Sequence, residues 1–186
     1  PSNHATNGER SVDNSVFYAR LGQRIIHIVS TRTASGMLYE TDMRLRPSGN
    51  SGLLVSSLSS FVQYQDEKAW TWEHQALVRA RVVAGDQELA KSFAAIRKTI
   101  LSLERDETTL RTDVSMMREK MRDHMLPKGL ENAEPPIFHL KHGTGAIVDI
   151  EFMVQYAVLA WTHQYPALAD FPDNIRILQS LQQQGL

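Results

Sequence analysis

"LYETDMRLRPSGNSG", Leu38 to Gly52, decides how the chain is read. Side chains alternate along a strand. The stretch therefore sets Glu40, Asp42, Arg44 and Arg46 on one face and Tyr39, Thr41, Met43 and Leu45 on the other. The spacing predicts a strand over Met37–Arg46, stopped by Pro47, which cannot donate to a ladder, and by Gly49, which permits a turn.

Two carboxylates at i and i+2 on a strand lie about 6.6 Å apart at the backbone, two rises of roughly 3.3 Å. That spacing can serve one divalent cation, because Mg²⁺ takes one or two protein carboxylates and completes its shell with water and substrate phosphates. Arg44 and Arg46 on the same face would meet a phosphate chain bidentately. The same pattern is also that of an exposed antiparallel sheet face on which opposite charges pair weakly. Spacing alone leaves both readings open.

Around this stretch nearly every periodic segment is helical. "VDNSVFYARLGQRIIHIVS", Val12 to Ser30, repeats Phe17, Leu21, Ile25, Ile28 and Val29 at helical spacing, and "TRTASG" ends it. Beyond the Pro-Ser-Gly turn, helices are predicted over Leu58–Gln65 and Ala69–Ala84, the latter stopped by Gly85. Asp86 caps the next, running to about Leu103, and another runs from about Thr109 to Met125 before "LPKGLENAEPP" breaks it. "IFHLKHG" is a short strand candidate. "IVDIEFMVQYAVLAWTH" is a strong helix, and "FPDNIRILQSLQQQG" is the last, with Pro172–Asp173 at its start and Gly185 just past its end. The fold class expected is α+β, mostly helical.

With 186 residues and 42% hydrophobic content, the chain can bury a core as one domain or two small ones. Twenty Lys+Arg balance twenty-one Asp+Glu, so no bulk charge draws it to nucleic acid or an anionic membrane. No apolar run approaches the roughly 20 residues of a membrane helix. The absence of cysteine excludes disulfides and thiolate metal sites and fits the cytoplasm. The polar opening at Pro1, without Met, reads as the middle of something larger.

Other charged pairs carry less. Asp149 and Glu151 in "VDIEF" sit two apart on a helix and face away from each other, which suits helix capping and a buried ion pair. The seven histidines form no ligand constellation. Trp70 and Trp72 read as packing anchors, because Ala76, Leu77, Ala80 and Val83 follow at helical spacing and no basic–aromatic interleaving surrounds them. Arg79 and Arg81 either answer the acids of the strand or cover the helix.

"TRTASGMLYETDMRLRPSGNSGLLVSS", "YQDEKAWTWEHQALVRARVVAGD" and "KHGTGAIVDIEFMVQY" together closely resemble the bifunctional glutamine-synthetase adenylyltransferase/adenylyl-removing enzymes of bacterial nitrogen control. The wording resembles the C-terminal, adenylylating half. The resemblance implies a truncated nucleotidyltransferase-type domain over 1–86, followed over 87–186 by the start of a helical domain shared with PII uridylyltransferases. Such enzymes carry Gly-Ser and an Asp-x-Asp pair before a third acid. The pair is absent here, and the resemblance places it before Pro1.

By the same resemblance Asp42 is the third acid and a metal ligand, with Glu40 beside it as a second. Arg44 and Arg46 neutralise the triphosphate, or hold the strand by pairing with Glu73 or Asp149. The implied reaction is transfer of AMP from ATP, with Mg²⁺, to a tyrosine of glutamine synthetase, and the fragment alone is expected to be inert. A PII-type signalling protein is the implied regulatory partner, and neither nucleic acid nor membrane is implied. The alternatives are the phosphorolytic, adenylyl-removing half, or a non-catalytic docking module for glutamine synthetase or a PII-type regulator.

Overall fold

The computed structural model describes residues 5–6, 9–127, 129 and 137–186. The chain divides into two compact units, Pro1–Glu67 and Lys68–Leu186.

In the first unit, helix α1 (Asn14–Ser30) begins where the Asp13 side chain accepts from the Ser15 amide. Its apolar stripe is present as expected, yet none of its residues is buried. A short antiparallel hairpin follows, β1 (Arg32–Thr33) and β2 (Gly36–Met37), in register Arg32 to Met37 and Thr33 to Gly36. Gly36 turns it at φ +105°, and the Thr33 hydroxyl donates to the Gly36 carbonyl at 2.8 Å. Helix α2 (Leu58–Glu67) closes the unit.

The expected strand over Met37–Arg46 is corrected here: the ladder ends at Met37, and Leu38–Arg46 is irregular chain and turn. A period-two pattern becomes a strand only where a neighbour supplies ladder bonds. Among the described residues the sheet has two strands, and neither runs beside Leu38–Arg46.

The second unit is a bundle of α3 (Thr71–Arg79), α4 (Gln87–Leu101), α5 (Glu107–Met125), α6 (Ile147–Trp161) and α7 (Asn174–Gln184). Helix α6 touches α3, α5 and α7, and its nearly continuous apolar sequence suits that central place. Val154, Val158 and Leu159 of α6 are fully buried with Val78, Leu101, Leu168 and Ile177. Asp86, Asp106 and Asp173 cap α4, α5 and α7 through side-chain oxygens, and Gly185 ends α7 at φ +77°.

Helix α3 stops at Arg79, short of the expected Ala84, because its terminal carbonyls are claimed by a buried arginine. Arg97 of α4 donates from Nε to Leu77 O at 2.7 Å, from Nη2 to Val78 O at 2.6 Å and from Nη1 to Ala169 O at 2.5 Å. Helix ends leave such carbonyls unpaired, and one guanidinium here answers two of them plus the last carbonyl of the 3-10 turn Pro166–Ala169. Arg105 does the same for α4, donating to Ile100 O and Leu103 O at 2.8 Å each. Burial lowers the Arg105 pKa to about 10.

Two further expectations are corrected. "IFHLKHG" is loop and turn rather than strand, held by the Gly143 amide donating to His139 O at 2.8 Å. Trp70 is no packing anchor: it is 71% exposed at the α3 N-cap, while Trp72 is half-buried. The Trp70 amide donates to the Glu73 carboxylate at 3.0 Å, so Glu73 serves that cap. The break expected at "LPKGLENAEPP" falls largely outside the described residues, α5 ending at Met125.

Candidate functional site

After the hairpin the chain runs back along α1, where the Tyr39 amide donates to Val29 O at 2.9 Å. Residues Glu40, Thr41, Asp42, Met43 and Arg44 then line an open concavity of about 630 Å³. The structure thus brings three of the four expected site residues, Glu40, Asp42 and Arg44, around one hollow.

Asp42 and Arg44 are joined directly. The Arg44 amide donates to Asp42 Oδ1 at 2.9 Å, and its guanidinium reaches both carboxylate oxygens at 2.7–3.0 Å. The Arg44 side chain, and then its amide, hold the Asp42 carboxyl down at about 2, from the ordinary 3.8. Asp42 is therefore ionised at neutral pH and is a poor proton acceptor while Arg44 holds it.

Arg46 takes a different direction. Its Nη1 donates to Met43 O at 2.7 Å, Nη2 to Asn50 O at 3.1 Å and Nε to Gly52 O at 3.2 Å. Its guanidinium therefore clasps the Pro-Ser-Gly turn from inside. Ser48 sits there in the left-handed region at φ 60°, and its amide donates to the Tyr64 hydroxyl of α2 at 2.9 Å. Gly52 is required, since a Cβ there would lie 1.9 Å from the Pro47 carbonyl oxygen. Period-two spacing could not separate the two arginines. No side-chain pattern signals the clasp, whose acceptors are the backbone carbonyls of Met43, Asn50 and Gly52.

The remaining charged candidates belong to the helical unit. Asp149 accepts from Arg118 Nε, from Arg122 Nη2 at 3.3 Å and from the Gly145 amide at 2.6 Å. The ion pair expected of "VDIEF" is thus found with Arg118 and Arg122 of α5, whereas the cap residue of α6, Ala146, has no side-chain cap bond. Arg79 Nη1 donates to Glu151 and to Asn174 Oδ1, each at 3.2 Å, joining α3 to α6 and α7. Arg81 is exposed beyond the end of α3.

Both oxygens of Asp42 are bonded to Arg44. Among the described residues no group of three His, Cys, Asp or Glu side chains could hold a metal ion. No helix among them is long and apolar enough to cross a membrane.

The chain is 58% identical over 182 residues to the bifunctional glutamine synthetase adenylyltransferase/adenylyl-removing enzyme of Hahella chejuensis, covering 98% of this chain and 19% of that protein. It is 56% identical over 188 residues to the protein of that name from Pseudomonas aeruginosa, covering 97% and 19%. With that from Thioalkalivibrio sulfidiphilus it shares 57% over 176 residues, covering 95% and 18%. The chain therefore spans about a fifth of the length of these curated relatives. The model of the glutamate-ammonia ligase adenylyltransferase family matches residues 1–96. That match takes in the Asp42–Arg44 hollow and the Arg46 clasp, along with more than half of the chain, and by it the chain belongs to the glutamate-ammonia ligase adenylyltransferase family.

Proposed function

We propose that this chain is part of an enzyme that transfers AMP from ATP to a tyrosine of glutamine synthetase, from the adenylylating half of such an enzyme, and so regulates nitrogen assimilation. The observation that carries the reading is the 53–58% identity to proteins named as adenylyltransferases of that substrate, sustained over 95–100% of this chain. A PII-type protein is the proposed regulatory partner, and the cytoplasm the proposed compartment.

Within this reading Asp42 supplies fixed negative charge, and its low proton affinity weighs against a role as base. Arg44 is the nucleotide contact. A guanidinium that grips a carboxylate bidentately grips a phosphate in the same way, so ATP would compete with Asp42 for Arg44. Arg46 supports this by fixing the turn that follows, and Glu40 adds a second charge in the same hollow. Mg²⁺ comes with the ATP substrate and would be held by Asp42 and Glu40 as the triphosphate draws Arg44 away. On its own the chain is expected to transfer no AMP.

The test is Asp42→Asn in a protein of the relatives' full length that carries this sequence, assayed for labelled AMP transfer from ATP to glutamine synthetase and for thermal melting. The expected result is a loss of transfer on the order of a hundredfold, as when one charge-stabilising group is removed, with melting preserved. Unchanged transfer would overturn the assignment of Asp42. Transfer lost only in the phosphate-dependent removal of AMP would give the site to the adenylyl-removing reaction instead.

A further inference from the structure

The helical unit holds a groove of about 690 Å³ between α5, α6 and α7. Its two walls differ in chemistry. Arg111, Arg118 and Arg122 of α5 form one. They stand seven and then four residues apart, which at 3.6 residues per turn keeps them on a single stripe. Phe152 and Met153 of α6 and Leu178 of α7 contribute to the other, and Met153 is 70% exposed.

The arginine wall is incompletely answered from within. Glu119 and Asp149 are the acids that line the groove, against three guanidiniums. The Arg118 side chain is only 8% exposed and already donates to Asp149 and the His142 carbonyl. Its Nη1 nevertheless has no hydrogen-bond partner among the described residues, and neither has the buried Nε of Arg122. Buried donors are rarely left so, and guanidinium donors are best met by the paired oxygens of a carboxylate or phosphate. A concave site with an apolar wall and a few convergent polar groups is the usual form of a small-molecule site.

We propose that this groove binds a small organic oxyanion, its carboxylate or phosphate against Arg111, Arg118 and Arg122 and its apolar body against Phe152, Met153 and Leu178. The apolar wall sets the class, because a bare inorganic anion would gain nothing from Met153 and Leu178. The groove is lined by none of the residues of the Asp42 hollow, and the proposal does not depend on the function proposed for that hollow.

The test is methyl NMR of the 186-residue chain with ¹³C-methyl methionine, titrated with phenylphosphate and phenylacetate, and with phenol and inorganic phosphate for comparison. The expected result is a saturable shift of the Met153 methyl with at least one aromatic anion, while Met37 and Met43 stay still. Phenol and inorganic phosphate should bind at least about tenfold more weakly, the contrast of one charge-assisted or one apolar contact. Arg122→Gln and, on the exposed side of the stripe, Arg111→Gln should each weaken binding several-fold. Arg111→Gln keeps the test valid if loss of the Arg122–Asp149 contact unfolds the bundle. The proposal would be overturned by no saturable Met153 shift, equal binding of phenol, equal binding of inorganic phosphate, or affinity unchanged in Arg111→Gln. Equal shifts of all the methionine methyls would do so as well.

Discussion

Arg44 spans both carboxylate oxygens of Asp42, its Nε 3.0 Å from each and its Nη2 2.7 Å from Oδ2. Two side chains expected to share a strand face as independent ligands are instead one ion pair, formed inside a loop and open to solvent. The Asp42 pKa of about 2 lies below the ordinary 3.8, so the pair favours the folded loop at every pH above the ordinary value and is lost as pH falls through about 2. Arg44→Gln should therefore raise the Asp42 midpoint toward 3.8, read by carboxyl ¹³C NMR during acid titration. A midpoint that stays near 2 would refute Arg44 as the cause.

Gly52→Ala should disrupt the turn clasped by Arg46. The added Cβ meets the Pro47 carbonyl oxygen at 1.9 Å, and backbone on both sides must move. Overpacking of this kind costs about 1–3 kcal/mol or more. Amide exchange should quicken at Gly49 and Gly52, whose amides donate to Arg46 O and Gly49 O, while α6 keeps its protection. Uniform quickening across both units would contradict a local effect.

Arg97→Met keeps much of the side chain's volume and removes the guanidinium that satisfies Leu77 O, Val78 O and Ala169 O. Orphaning buried carbonyls should cost the helical unit about 3–5 kcal/mol, in the range for breaking a buried charged contact. Denaturant titration followed by tryptophan fluorescence, Trp70, Trp72 and Trp161 all lying in the helical unit, would measure it, and a change below about 1 kcal/mol would show that water replaces the guanidinium freely.

Asp106→Ala should lower the melting temperature of the helical unit by roughly 2–4 °C, the usual effect of losing an N-cap in a chain of this size. The Thr109 side chain and amide depress the Asp106 pKa, so the cap is at full strength above the ordinary carboxylate range and fades as pH falls through the depressed value. The gap between wild type and variant should close in acid. A gap that persists unchanged at low pH would show that the carboxylate charge is not what caps α5.

What could be read from the chain depended on how local its cause was. The helix starts at Asp86 and Asp173 and the stop at Gly185 were legible, because a capping side chain acts within three or four residues of itself. The end of α3 was not, since Arg97, eighteen residues beyond Arg79, decides it. The strand failed for a related reason: alternation in "YETDMRLR" is written in the chain, but the neighbour that would make it a strand is not. The hollow was half legible. Glu40, Asp42 and Arg44 share it, while Arg46 was claimed by carbonyls whose inward turn no side-chain pattern records. The Arg118–Asp149 contact was foreseen only as an ion pair of unnamed partner, because α5 and α6 are joined by a connection whose course the periodicity does not specify.

Helix α1 is seventeen residues long and buries none of them, with Phe17, Leu21, Ile25 and Ile28 all exposed. Helices shorter than about 12–15 residues are marginal in water without packing, and α1, only a little longer, is met by Val55 and Leu54 at Gly22 but keeps its apolar stripe open to solvent. As concentration rises, copies should begin to cover one another's stripes. Helicity, light scattering and apparent melting temperature would then all rise together with protein concentration, by mass action. For this chain, a single melting temperature acquires meaning only beside the concentration at which it was recorded.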